Sequence, residues 1–130
     1  MTLIDTDICI ELLRGNKSVL NKRKKEDDIL AVAFMTAAEL YYGVQKSTNP
    51  VQNSLLIDEF LLTMNIIQTD IPILKTYGEL KAQLEGRGFP LTDADLLIAA
   101  TALIKCEKLI TGNIKHYNRI EELKIENWIR

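Results

Sequence analysis

Cysteine and histidine are scarce in this chain. The two cysteines, Cys9 and Cys106, lie far apart, form no C-x-x-C pair and have no group of histidines near them; His116 is the lone histidine. That spacing suggests neither a zinc site nor a disulfide framework, and two buried free thiols suit a reducing compartment. Long hydrophobic runs are also missing. The longest nearly apolar stretch, Leu96 to Ile104, is far short of the roughly 20 residues that cross a bilayer, and acid at Asp5 replaces a basic leader segment. A soluble, cytoplasmic protein without membrane association is expected. Nor is positive charge in excess: 16 Lys and Arg against 18 Asp and Glu leave a formal net charge of −2. Such a balance excludes a protein that coats nucleic acid by general electrostatics, so any nucleic acid must be engaged locally. Repeats, low-complexity tracts and linkers are absent as well.

What remains is a globular sequence of 130 residues with 47% hydrophobic content, a length that predicts one domain over 1–130. A chain of this size buries roughly two-thirds of its unfolded surface and needs no cross-link to hold a core. Its pattern alternates strand and helix. "TLI" reads as a buried strand feeding a helix that stops at Gly15; "SVLNKRKKEDD" reads as a polar helix, "ILAVAF" as a strand, and "TAAELYYGVQKS" as a helix capped by Thr36. Asn49-Pro50 opens a helix to about Met64, "NIIQT" follows as a strand, and Asp70 caps a helix closed by Gly86 and Gly88. "TDADLLIAATALIK" is apolar almost all round and predicts a buried helix before the strand "KLIT"; a helical turn near Ile114 to Glu122 and a strand "IENW" finish the chain. Strands separated by helices imply an α/β sandwich with a central, mainly parallel sheet covered on both faces. Ligands in such folds collect at the carboxyl ends of the strands.

Acid recurs at those strand ends. Asp5 and Asp7, Glu39, and Asp93 and Asp95 each fall in the first turn of a helix that follows a strand or turn. Singly, each also fits a helix cap, because Thr36-x-x-Glu39 and Thr92-x-x-Asp95 approximate the capping box and the helix dipole favours acid there. Together they are harder to assign to caps. Asp95 shares its face with Ile98, Ala99 and Ala102, and no Lys or Arg lies within a turn of Asp5, Glu39 or Asp95 on the same face. A buried carboxylate needs a partner. All-oxygen ligands suit Mg2+ or Mn2+, and a metal-activated water is a nucleophile for phosphodiester hydrolysis. Asp93 and Asp95 stand about 200° apart on a helix, which favours Asp95 in the cleft with Asp93 at its mouth. "TGN" brings Thr111 and Asn113 to another strand end, where Asn113 can hold a metal-bound water or serve a turn.

Through "LIDTDICIELLRG", "TAAELYYGVQKS", "YGELKAQLEGRGFPL", "DLLIAATAL", "LITGNIKHY" and "LKIENW", the whole chain resembles the PIN-domain ribonucleases, and within them the VapC toxins of toxin–antitoxin pairs. The resemblance implies a PIN-like three-layer fold and a site in which Asp5, Glu39 and Asp95 hold Mg2+ or Mn2+, with Asn113 in the fourth position. It also implies a homodimer, endoribonuclease activity on structured RNA such as tRNA or rRNA, and neutralisation by a VapB-type antitoxin. Three positions depart from the usual pattern: Asp7 stands where Asn is commoner, Gly112 where a polar residue is frequent, and Asn113 where the wider family often has an acid. One cation is therefore expected rather than two, and water attack predicts 5′-phosphate and 3′-hydroxyl products.

The remaining candidates have surface or packing readings beside the functional one. The basic run Lys22, Arg23, Lys24 and Lys25 is followed at once by Glu26, Asp27 and Asp28, as on a solvated helix face. Arg14, Lys46 and Arg87 end helices that follow the acidic motifs, with Arg14 the preferred phosphate contact. Tyr41, Tyr42 and Tyr77 suit core or dimer packing. Two rival readings differ in kind: a phosphatase of the haloacid dehalogenase type, which also opens on a strand ending Asp-x-Asp but fits poorly at Ile8 and Cys9, and a partner-binding module whose acids are only caps.

Overall fold

The computed structural model describes residues 1–130. Five strands form one sheet: β1 (Thr2–Ile4), β2 (Leu30–Ala33), β3 (Asn65–Ile67), β4 (Lys108–Ile110) and β5 (Ile125–Glu126). Their order is β3-β2-β1-β4-β5 and every pairing is parallel. The helices are α1 (Thr6–Arg14), α2 (Lys17–Lys25), α3 (Phe34–Gln45), α4 (Pro50–Leu62), α5 (Ile71–Gly86), α6 (Asp93–Lys105) and α7 (Ile114–Tyr117). The expected three-layer α/β architecture is present, with the sheet wholly parallel.

Alternation along the short strands divides the core. Leu3, Ala31 and Leu109 face a layer of α5, α6 and α7, where Ile73, Leu80, Ile98, Ala99 and Tyr117 are buried. Ile4, Val32 and Ile110, one residue on, face α1 to α4, where Ile8, Leu12, Val19, Leu40 and Phe60 are buried. Successive residues of a strand point to opposite faces, so β1, β2 and β4, short as they are, each supply both layers. Six residues of α6 are buried, Leu96, Ile98, Ala99, Ala100, Thr101 and Ala102, in keeping with its nearly unbroken apolar surface.

Local chemistry sets most element ends. Gly15 adopts φ 78, a left-handed conformation, and its N–H reaches back to Glu11 and Leu12 to close α1. Asp70 accepts from the N–H of Ile73 to open α5, and Thr92 accepts from Asp95 to open α6. Other ends differ from the sequence reading. Helix α3 begins at Phe34 with Ala33 as its cap residue, so Thr36 lies inside the first turn and caps nothing. The apolar run "ILAVAF" crosses from strand to helix without a break, and a short apolar run carries no period that separates the two. Asn49 makes no side-chain cap bond, α2 stops at Lys25, and α7 is a four-residue helix rather than one extending to Glu122.

This topology decides where the acids meet. Successive connections run from β1 outward to β2 and β3, and the later strands β4 and β5 fill the other side, so the winding reverses between β1 and β4. Ile4 pairs in register with Ile110, and the N–H of Asp5 donates to the carbonyl of Ile110 at 2.9 Å. Asp5 and Thr111 therefore leave adjacent strands side by side at the crevice where open α/β sheets bind ligands.

Candidate active site

Asp5 sits at the centre of this edge, 3% exposed. Its Oδ2 accepts a 2.7 Å hydrogen bond from the Thr111 hydroxyl and its Oδ1 accepts one of 2.8 Å from the N–H of Thr6. The Thr111 hydroxyl in turn accepts from the N–H of Asn113, tying the β4 turn to the acid. Asp7, in the first turn of α1, reaches across to the segment after β4 and accepts from the N–H of Gly112 at 2.8 Å. It does not cap its own helix. Its second oxygen, Oδ1, is buried without a hydrogen-bond partner.

The other acids arrive from both helical layers. Glu39 projects from α3 and its Oε1 accepts at 2.7 Å from the Thr6 hydroxyl, which also lies 3.1 Å from that of Thr36. Asp95 projects from α6; Tyr117 donates its phenol to Oδ1 at 3.3 Å, and His116 Nδ1 lies 3.3 Å from Oδ2. Asp93 is mostly exposed and points elsewhere, held by Lys81 at 2.9 Å and by the hydroxyl of Tyr77 at 2.8 Å. Asn113 is exposed at the same edge and its side chain makes no protein hydrogen bond. Arg14 pairs with Glu11 at 3.3 Å and lines a groove that also contains Glu39. Tyr41 and Tyr42 are exposed, not part of the core of this chain.

Electrostatics follow from this crowding. Burial, then the charge of Asp7, push the Asp5 carboxyl up from 3.8 to about 7, against the hydrogen bonds from Thr111 and Thr6. Burial likewise raises Asp7, against the bond from Gly112. Burial and the nearby acids, Asp5 first, push the Tyr117 phenol far up, so it remains a donor. Asp93 moves the other way, lowered by its bond to Lys81. No Lys or Arg makes an ion pair with Asp5, Asp7, Glu39 or Asp95.

Oxygen donors without a cationic partner, one of them an orphaned buried oxygen, fit a hard divalent cation. Asp5, Asp7 and Asp95 feel one another's charge, and Glu39 joins through Thr6. As they stand, no three acidic, histidine or cysteine side chains are drawn together tightly enough to enclose an ion. Each carboxylate is instead held by a hydroxyl, amide or ring donor. Several of these donors escaped the sequence reading. Thr6 and Tyr117 hold Glu39 and Asp95 through contacts between elements distant in sequence, Thr36 meets the Thr6 hydroxyl, and His116, read as part of a polar turn, proves to lie against Asp95.

Comparison with known proteins decides the family. Residues 2–123 match the PIN domain model. The chain is also 36% identical to ribonuclease VapC2 of Rickettsia felis over 129 residues, covering 97% of this chain and 96% of that protein. The chain belongs to the PIN-domain family. Among its PIN-domain relatives is the tRNA(fMet)-specific endonuclease VapC of Shigella flexneri, 26% identical over 97% of this chain and 96% of that one. The crystal structure of VapBC2 from Rickettsia felis, bound to a DNA fragment from its promoter, superimposes with a TM-score of 0.91 at 35% identity, covering 98% of each chain. The resemblance read from the sequence motifs is thus established across nearly the whole length, and with it a nuclease framework. The covalent Asp-x-Asp phosphatase reading falls with that assignment.

Proposed function

We propose that this PIN domain, spanning the single domain 1–130, is the toxin of a toxin–antitoxin pair: a Mg2+- or Mn2+-dependent endoribonuclease acting in the cytoplasm. The observation that carries the metal dependence is a buried Asp5 pushed up to about 7 beside Asp7 and Asp95, with no Lys or Arg paired to any of the three. A group so placed favours either a proton or a cation, and at neutral pH the cation keeps the site ionised.

Asp5, Glu39 and Asp95 would hold the ion, with Asn113 at the fourth position directly or through water; Asp7 is the next candidate, and Asp93 is engaged by Lys81. When bound, such an ion supplies Lewis acidity toward water and phosphate oxygens. Thr111, Thr6 and Tyr117 fix the carboxylates of Asp5, Glu39 and Asp95 through their hydroxyls, as partners of metal ligands commonly do. Glu39, on the α1–α3 side, orients the attacking water and takes its proton. Attack by water rather than the ribose 2′-hydroxyl leaves a 5′-phosphate and a 3′-hydroxyl. Structured RNA, tRNA or rRNA, is the substrate class, a reading supported by the tRNA-specific relative. Arg14, at the end of α1, contacts RNA phosphate.

The antitoxin reading has its own support. A groove of about 320 Å3 runs from Glu39 between α1, α3 and α4, lined by Ile10, Leu13, Leu40, Val44 and Ile57. A VapB-type segment laid there would cover the acid at its end. Exposed Val51, Leu55 and Leu62 of α4 support self-association into a homodimer. No helix is long and apolar enough to cross a membrane.

Mapping RNA ends after brief induction of the protein in cells tests the reading. Endonucleolytic 5′-phosphate and 3′-hydroxyl ends should appear and should vanish with Asp95→Asn. Ends that persist in that variant, or 2′,3′-cyclic phosphate termini, would reject it.

A further inference from the structure

A polar cavity of about 500 Å3 opens beside the acids, between α7 and the C-terminal segment. Gly112, Asn113, Lys115, His116, Asn127 and Arg130 line it with one apolar residue and no Asp or Glu. Two of these residues touch the acidic centre: the N–H of Gly112 donates to Asp7, and His116 meets Asp95. The cavity is therefore continuous with the site. Lys115 and the Arg130 guanidinium form no ion pair.

The opposite flank has another character. There the groove from Glu39 is lined largely by aliphatic side chains, and Arg14, the phosphate contact proposed above, is its single cation and is shared with Glu11. A polyanion crossing a centre rich in carboxylates needs positive charge close by, and the overall charge of −2 does not supply it. Of the two flanks, only the α7 side offers unpaired cations together with neutral amide donors. We propose that this cavity is a phosphate subsite: it takes the phosphodiester next to the scissile one, with Lys115 and Arg130 as its charged contacts and Asn113 and Asn127 as amide donors. The inference rests on the ribonuclease reading and adds the path of the RNA backbone to it. Contacts to phosphate position the strand without reading its sequence, so the subsite sets affinity and register rather than base choice.

Steady-state cleavage of bulk tRNA or ribosomal RNA, whichever the wild type cuts, tests it at several KCl concentrations with Mn2+ saturating. Lys115→Ala combined with Arg130→Ala should raise KM about tenfold, with the loss falling on KM rather than kcat. The slope of log KM against log salt should fall by about 0.7, the value for one single-stranded phosphate contact. Removing the same charge from α2, with Lys24→Ala and Lys25→Ala, should change neither quantity. Unchanged KM and slope in the first variant, or equal changes in both, would overturn the subsite while leaving the ribonuclease reading intact. A wild-type protein that cleaves no RNA would instead overturn the reading beneath it.

Discussion

Asp5 is held by two donors and surrounded by repulsion, so its charge is costly to the metal-free fold. Asp5→Asn keeps the shape and removes that charge. The variant should melt at or above the wild-type temperature without metal at pH 8, yet lose Mn2+-dependent RNA cleavage by at least about a hundredfold; calorimetry and a cleavage assay read the two effects. A variant that unfolds would show that the carboxylate serves the structure. Gly112 presents a different constraint. A Cβ there would stand 2.8 Å from Asp7 Oδ2 and 2.7 Å from the Ile129 side chain, inside contact distance. Gly112→Ala should therefore cost about 1–3 kcal/mol in denaturant unfolding and weaken Mn2+ binding by displacing Asp7. Acid after an apolar strand or turn is a local signal, so spacing brought forward Asp5, Asp7, Glu39, Asp93 and Asp95 as a set, and the resemblance to PIN domains narrowed it to Asp5, Glu39 and Asp95. Spacing could not reveal that Thr111 and Gly112 brace Asp5 and Asp7, since those contacts join residues at opposite ends of the chain.

At the scale of elements, the first turn of α1 links the sheet to α3. Its Thr6 N–H holds Asp5 while its hydroxyl holds Glu39, so one residue couples two acids from different layers. Thr6→Val preserves the side-chain outline and removes the hydroxyl. Mn2+ affinity should fall about 10- to 100-fold in titration calorimetry, with a loss of stability of about 1 kcal/mol. Unaltered affinity would mean that Glu39 is placed by α3 alone. Elements with local punctuation were legible from the sequence. Asp70 and Thr92 cap as their spacing implies, and Gly15 stops α1. Thr36 misled for a physical reason: a Thr three residues before an acid looks the same whether it caps a helix or sits buried within its first turn. Here it is buried, beside the Thr6 hydroxyl.

For the molecule as a whole, parallel winding on both sides of β1 brings acids from β1, α3 and α6 to one edge, and stability bears the consequence. The folded chain holds the Asp5 proton near pH 7, whereas an ordinary carboxyl releases it near 3.8, so the native state binds that proton more tightly. Its contribution to metal-free stability is complete below about pH 4 and is lost as pH rises through 7, each unit being worth about 1.4 kcal/mol. Metal-free protein should accordingly soften across that window in urea titrations, and Mn2+ should restore stability increasingly as the pH rises. A flat metal-free profile would contradict the perturbed acid. The strand–helix alternation disclosed this architecture, but strands of two to four residues left the exact pairing to tertiary structure. The central claim, that acids distant in sequence share one divalent cation, is tested most directly by isothermal titration of Mn2+ into the wild type and Asp5→Asn at pH 7.5. One site per chain in the wild type and none in the variant is the predicted result; superimposable isotherms from the two folded proteins would contradict it.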